Sequence, residues 1–317
     1  MKQFINIHDV PDLQSLLAEA AEVKKTPFAW KTLGTNKTIC LLFLNPSLRT
    51  RLSSQRAAYN LGLEAVVLDI GSQGWKLEFG DGVVMNGDKA EHIKEAAAVI
   101  GSYFDMVAIR AFADLKNKDD DYSEPILTAF AKYCPAPIIN MESGTGHPLQ
   151  ALADLITIEE HKKVAKPKVV LTWAPHPRAL PQAVANSFAE WTCAANYDVV
   201  VTHPEGYELD EQFTQGAKIE YDQNKAFEGA DFICAKNWSN FKDYGKILST
   251  DPNWMVSQEK MNRTNDGKFL HCLPVRRNVI VEDAVLDSGN SLVIEEAGNR
   301  IVSMQTVLKR LLEKMNE

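Results

Sequence analysis

Thr38-Ile39-Cys40-Leu41-Leu42-Phe43-Leu44, followed at once by Asn45-Pro46-Ser47-Leu48-Arg49-Thr50-Arg51, contains the pattern that determines the architecture. The first seven residues are almost continuously apolar, as expected of a strand covered on both faces of a parallel sheet. Asn45, Pro46 and Ser47 interrupt that run, and a segment of helical period follows over about 49–61. A strand, a short turn and a helix make the first half of a crossover unit. The same rhythm returns at 64–70 (EAVVLDI), 106–110 (MVAIR) and 137–140 (PIIN), with helical candidates at 91–103 and 123–133. It resumes at 168–173 (KVVLTW), 198–202 (DVVVT), 231–235 (DFICA) and 268–271 (KFLH). Strands that alternate with helices in this way predict an α/β protein built on parallel sheets.

Between the two halves, residues 148–163 begin with Pro148 and carry Leu149, Leu152, Leu155 and Ile156 at helical spacing, predicting a bridging helix. A final amphipathic helix is expected over about 301–315, from Ile301, Met304, Val307, Leu308, Leu311 and Leu312. The chain has 317 residues, beyond the ~250–300 at which single cores stop growing, so two domains are expected. With 45% apolar and 24% charged residues the composition is that of a soluble globular protein. A net charge of -8 argues against broad binding to nucleic acid or to an anionic membrane, both of which need a basic surface. No apolar run approaches the ~20 residues of a membrane span, and the start is interrupted by polar residues too early for a signal peptide. A cytoplasmic location is the expectation. Five scattered cysteines without a C-x-x-C pair suggest neither disulfides nor a zinc site, and Cys40, Cys134, Cys193 and Cys234 are expected to act as small buried hydrophobes. Lys116-Asn117-Lys118-Asp119-Asp120-Asp121 is expected to be a solvated loop.

Functional groups in such folds gather at the carboxyl ends of the strands. After the first strand, Ser47, Arg49, Thr50 and Arg51 bring hydroxyls and guanidinium groups to a helix start. Capping alone does not call for arginines where the helix dipole disfavours cations, so an anion is expected there. Arg110 ends the third strand. Met141-Glu142-Ser143-Gly144-Thr145-Gly146-His147-Pro148-Leu149-Gln150 follows the fourth and delivers His147 and Gln150 to the start of the bridging helix. Singly, these residues fit a surface arginine and a capping histidine; together they suit an anion beside a polarised carbonyl.

Ser47-Leu48-Arg49-Thr50-Arg51 resembles the S-T-R-T-R loop of the transcarbamylases, His147-Pro148-Leu149-Gln150 their H-P-x-Q motif, and His271-Cys272-Leu273-Pro274 the H-C-L-P motif of the ornithine-type branch. The resemblance covers essentially the whole chain. It implies two doubly wound parallel-sheet domains, drawn at 1–147 with 299–317 and at 148–298, the first for carbamoyl phosphate and the second for the amine. It also implies a homotrimer with shared active sites, and no metal or organic cofactor. Two features resemble the N-acylornithine subfamily. Ala235-Lys236-Asn237-Trp238-Ser239-Asn240 puts a cation where ornithine enzymes hold an ammonium-binding aspartate, which suits a masked α-nitrogen. The segment from Trp173 through His176 to Pro181 resembles the proline-rich loop that surrounds a deep backbone knot in that subfamily, an exception to the rule against threading.

From this resemblance the expected reaction is carbamoyl transfer from carbamoyl phosphate to N-succinylornithine, as in arginine biosynthesis. Acetyl-specific members carry a glutamate where this chain has Ala90, and a lysine where it has Ile280; both differences favour a succinyl group. The residues implied for carbamoyl phosphate are Ser47, Leu48, Arg49, Thr50, Arg110, His147, Gln150, Cys272, Leu273 and Arg300. Trp75 from the Gly71–Trp75 loop of the next subunit joins them. Thr50, Arg110, His147, Gln150 and Cys272 form the implied catalytic set; Glu142, His176, Lys236, Arg276 and Ala90 are implied for the acceptor. An acetylornithine or ornithine transcarbamylase, a dehydrogenase of similar fold and a non-catalytic carbamoyl phosphate binder are the alternatives. The dehydrogenase lacks its G-x-G-x-x-G turn in this sequence.

Overall fold

The strand Thr38–Phe43 is buried from Ile39 onward and pairs in parallel on both sides, which its unbroken apolar run requires. The computed structural model describes residues 1–73 and 75–317; Gly74, in the Gly71–Trp75 loop, lies outside the described residues. The chain divides into two compact units. One comprises Met1–Ala113, Asp119–Leu149 and Arg300–Glu317, the other Asp114–Lys118 and Gln150–Asn299.

In the first unit four parallel strands run in the order Glu64–Asp69, Thr38–Phe43, Met106–Arg110, Ile138–Glu142. Successive connections leave the first strand toward opposite edges, so the crevice at the carboxyl ends opens between Thr38–Phe43 and Met106–Arg110. Register shifts at the last pairing: Ile109 faces Asn140 but Arg110 faces Glu142. This irregularity re-aims the strand end and sets Arg110 opposite a carboxylate. Cys40, Leu42, Val107 and Ile109 pack against Ile93, Ala97 and Phe130 from the helices Ile93–Tyr103 and Pro125–Tyr133.

The second unit holds five parallel strands in the order Lys268–Leu270, Phe232–Lys236, Lys168–Trp173, Asp198–Thr202, Lys218–Glu220. Its topological switch falls between Lys168–Trp173 and Phe232–Lys236, where the proline-rich segment and Lys236 lie.

Several elements differ from the sequence expectation, among them the short strand Lys218–Glu220. The C-terminal helix is Val293–Met315 and begins eight residues earlier than expected. Asn299 Nδ2 donates to Thr157 Oγ1 and to Glu160 Oε2, both at 2.9 Å, and anchors the added turns. The helices Leu13–Lys25 and Ala183–Ala194 lay outside the predicted set. Nine of the twelve residues of Ala183–Ala194 are buried, so it shows little amphipathic contrast. Finally, the 116–121 run is not all loop: Lys118–Tyr122 forms a short helix, none of it buried. Of the four cysteines expected in the core, Cys40 and Cys234 are buried, whereas Cys134 and Cys193 are half-buried.

Candidate functional site

Ser47 ends the turn after Thr38–Phe43 as the N-cap of Leu48–Asn60, accepting from Thr50 N–H at 3.3 Å, and its hydroxyl lies 3.0 Å from Thr50 Oγ1. Asn45 Oδ1 accepts from Phe112 N–H at 2.7 Å and holds the same turn against the neighbouring strand end. Thr50 is buried, and its hydroxyl receives two guanidinium donors: Arg110 Nη1 at 3.2 Å and Arg300 Nη2 at 2.6 Å. Ser47 Oγ donates to the same oxygen at 3.0 Å, so three donors converge on the buried Thr50 hydroxyl.

Arg110 is buried and stacks over Phe112 at 4.2 Å. Its Nη1 also donates to Glu142 Oε2, and His147 Nε2 lies 3.2 Å from the same oxygen. Glu142 Oε2 therefore marks the point on which the Arg110 and His147 donors converge. His147 is fully buried, and burial first, then the Arg300 and Arg110 charges, holds its pKa well below 6.5, so the ring is neutral. The loop leading to it is braced by Glu124, whose carboxylate accepts from Ser143 Oγ and Thr145 N–H, each at 2.8 Å. Burial raises the Glu124 pKa despite these bonds. Sequence reasoning missed Glu124, which sits eighteen residues before Glu142 with no motif around it.

Arg49 is half-buried and Leu48 exposed on the first turn of the same helix. Trp75 is half-buried against its own unit's core. Ala90 is exposed, and its N–H donates to Lys76 O at 2.9 Å where Leu77–Glu78 pairs with Glu91–His92.

In the second unit Gln150 is buried on the first turn of Pro148–His161. Its Nε2 donates to Asp154 Oδ1 at 2.7 Å and to Glu296 Oε1 at 3.0 Å. Glu296 Oε2 accepts from His271 N–H at 2.8 Å, and Leu273 N–H donates to His271 Nδ1 at 2.9 Å, so the His271–Pro274 turn is tied to the same carboxylate. Leu273 has φ 50°, a left-handed conformation that a leucine adopts only when its surroundings enforce it. Cys272 is half-buried on this turn.

Lys236 is buried and donates to Asn237 O at 3.0 Å. His176 Nε2 accepts from Arg276 Nε at 3.0 Å, and its Nδ1 lies 3.0 Å from the Arg178 N–H and 2.9 Å from the Arg178 carbonyl oxygen, so the ring is held from both sides. Burial lowers the His176 pKa; the charges of Arg276, Lys236 and Arg178 lower it further, against the Arg178 carbonyl bond that raises it. One neutral imidazole among three cations is a setting for carboxylates. Among the described residues no cluster of side chains has the make-up of a metal site, and no helix is long and apolar enough to cross a membrane.

Residues 2–160 match the carbamoyl-phosphate-binding domain of aspartate/ornithine carbamoyltransferase, and residues 181–311 match its aspartate/ornithine-binding domain. The chain belongs to the aspartate/ornithine carbamoyltransferase family. It is 56% identical to an N-succinylornithine carbamoyltransferase of Bacteroides fragilis over 99% of this chain and 100% of that one. Identity to the enzyme of that description from Bacteroides thetaiotaomicron is 58%, over 99% of each chain. A solved structure of an N-acetyl-L-ornithine transcarbamylase in which one glutamate is replaced by alanine, complexed with carbamyl phosphate and N-succinyl-L-norvaline, superposes with a TM-score of 0.92. It is 38% identical and covers 98% of this chain and 100% of its own. The chain is thus a carbamoyltransferase, with a carbamoyl-phosphate domain and an amino-acid domain.

Proposed function

We propose that this carbamoyltransferase moves the carbamoyl group of carbamoyl phosphate to the δ-amine of N2-succinyl-L-ornithine, giving N-succinyl-L-citrulline and phosphate, as in arginine biosynthesis. The observation that carries the reading is the buried Thr50 hydroxyl bracketed by Arg110 and Arg300, with neutral His147 beside them. Ser47, the Leu48 N–H, Arg49, Arg110 and Arg300 hold the phosphate. The carbamoyl oxygen takes the place that Glu142 Oε2 fills here, accepting from Arg110 and His147, with the Thr50 O–H as a further donor. As the amine nitrogen bonds to the carbamoyl carbon, that oxygen gains charge, and each prepositioned donor contributes roughly 2.7–4 kcal/mol. The bond from carbon to the phosphate oxygen then breaks, and the amine proton leaves with phosphate. Cys272 positions the δ-amine, and Leu273 joins the carbamoyl phosphate contacts.

On the acceptor side Glu142, once released, His176, Lys236 and Arg276 meet the masked amino acid, the cations facing its two carboxylates. Ala90 supports the succinyl choice: it brings no charge against the tail. The glutamate-to-alanine variant of the acetylornithine enzyme was likewise captured with a succinyl ligand. Ile280, buried in the core of its unit, supplies no lysine for a shorter acyl group.

The reading includes a cytoplasmic homotrimer in which Trp75 and Ala90 serve the neighbouring subunit. Exposed Val83, Val84 and Met85 in the segment before Ala90 support such a contact. It includes a knot in the second unit; Ser239 N–H donating to Leu180 O and Asn237 Nδ2 to Ala174 O, which set the two segments side by side, support that reading. An assay of ureido product with succinylornithine, acetylornithine and ornithine tests the function. Turnover is expected with the first at least about tenfold above the others, and preference for either of the others would overturn the choice of acceptor.

A further inference from the structure

Glu296 joins two motifs that no local pattern connects. One of its oxygens accepts from the Gln150 carboxamide and the other from the His271 backbone, while Asp154 takes the Gln150 nitrogen from the other side. All three side chains are buried, Gln150 and Glu296 at 1% exposure and Asp154 at 2%. A carboxamide has a donor end and an acceptor end, and it is the nitrogen end that faces both carboxyl groups. The nitrogen is held, and Gln150 Oε1 is left buried with no hydrogen bond from the described residues. A buried carbonyl oxygen in that state calls for a donor.

We propose that Glu296, assisted by Asp154, is a positioning residue that locks the Gln150 carboxamide with its oxygen outward, so that the site demands an N–H on the transferred group. The inference rests on the carbamoyl-transfer reading and supplies its donor specificity. A carbamoyl NH2 meets Gln150 Oε1; an acetyl methyl, of nearly the same size, leaves that oxygen unpaired. Through its other oxygen Glu296 also accepts from the His271 N–H and so helps to hold the His271–Pro274 turn.

Phosphonoacetamide and acetonylphosphonate differ only by NH2 and CH3, do not react, and can be titrated calorimetrically into the whole protein. The wild type is expected to prefer phosphonoacetamide by about tenfold or more. In Glu296→Ala the Gln150 nitrogen has no acceptor on that side, so Gln150 loses its lock and the preference is expected to shrink severalfold. Asp154→Asn weakens the same lock from the other side and is expected to act in the same direction. A merely structural role would weaken both ligands alike and leave their ratio unchanged. Equal wild-type affinity for the two ligands overturns the inference while leaving carbamoyl transfer intact. So does an unchanged ratio in either folded variant. Failure of both ligands to bind the wild type would overturn the underlying reading as well.

Discussion

Glu142 is the residue at which the charges of the first unit balance. Its Oε2 accepts from Arg110 and stands 3.2 Å from His147 Nε2, so a carboxylate oxygen rests where the carbamoyl oxygen is proposed to bind. Binding the substrate then means displacing it. Glu142→Gln keeps the shape and removes the charge that opposes an incoming dianion among Arg110 and Arg300. Carbamoyl phosphate is expected to bind about tenfold more tightly, with lower turnover because the acceptor loses a charged contact. Calorimetry of the donor and steady-state kinetics of the acceptor separate the two effects; weaker donor binding would refute the displacement. At Ala90 the argument is simpler. Ala90→Glu places a negative charge against a succinyl carboxylate and is expected to cut succinylornithine kcat/KM by about tenfold or more, while sparing acetylornithine. Equal losses for both acceptors would remove Ala90 from the selectivity account.

The helix Val293–Met315 carries Glu296 and Arg300 one turn apart, the first bonded to Gln150 and His271, the second to Thr50. Its later turns bury Val307, Leu308, Leu311 and Leu312, and Lys309 and Arg310 pair with Glu19. Leu308→Ala is expected to lower unfolding free energy by about 2–5 kcal/mol, measurable as a reduced denaturant midpoint at unchanged slope. A loss below about 1 kcal/mol would show that the site collapses around the deletion. This element also shows what the sequence could convey. Its apolar stripe from Ile301 to Leu312 is plain, because one buried face imposes a period. The turn from Val293 to Arg300 is hidden, because Glu296 and Asn299 are buried through hydrogen bonds that no periodicity records. Strands such as Thr38–Phe43 are legible for the converse reason, being covered on both faces. Ser47, Arg49 and His147 announce themselves as odd residues at strand ends, whereas Glu124, Asp154 and Glu296 are ordinary acidic residues until folding brings their partners to them.

Each unit contains a buried histidine that folding keeps neutral, His147 in the first and His203 in the second beside the less buried His176, and these give the molecule a pH signature. Burial is the first cause of the low pKa at both His147 and His203; at His203 a bond to the Pro204 carbonyl and the nearby Glu208 charge oppose it only in part. In the unfolded chain both titrate near 6.5, the ordinary value. Below that pH the unfolded state binds protons that the folded state refuses, so stability is full above about 6.5 and is lost as pH falls beneath it. Each histidine contributes a slope of up to about 1.4 kcal/mol per pH unit. Glu124 acts with the opposite sign, since its raised pKa lets the folded state hold a proton above 4.5. Comparing variants isolates the histidine effect from such terms. His203→Gln keeps a side-chain N–H for the Pro204 carbonyl and removes the titration. Unfolding free energies at pH 7.5 and 5.5 should therefore fall less in His203→Gln than in the wild type, by about 1 kcal/mol. If the variant loses as much stability as the wild type over that range, His203 is being protonated in the native protein and the buried ring is more open to water than its surroundings imply.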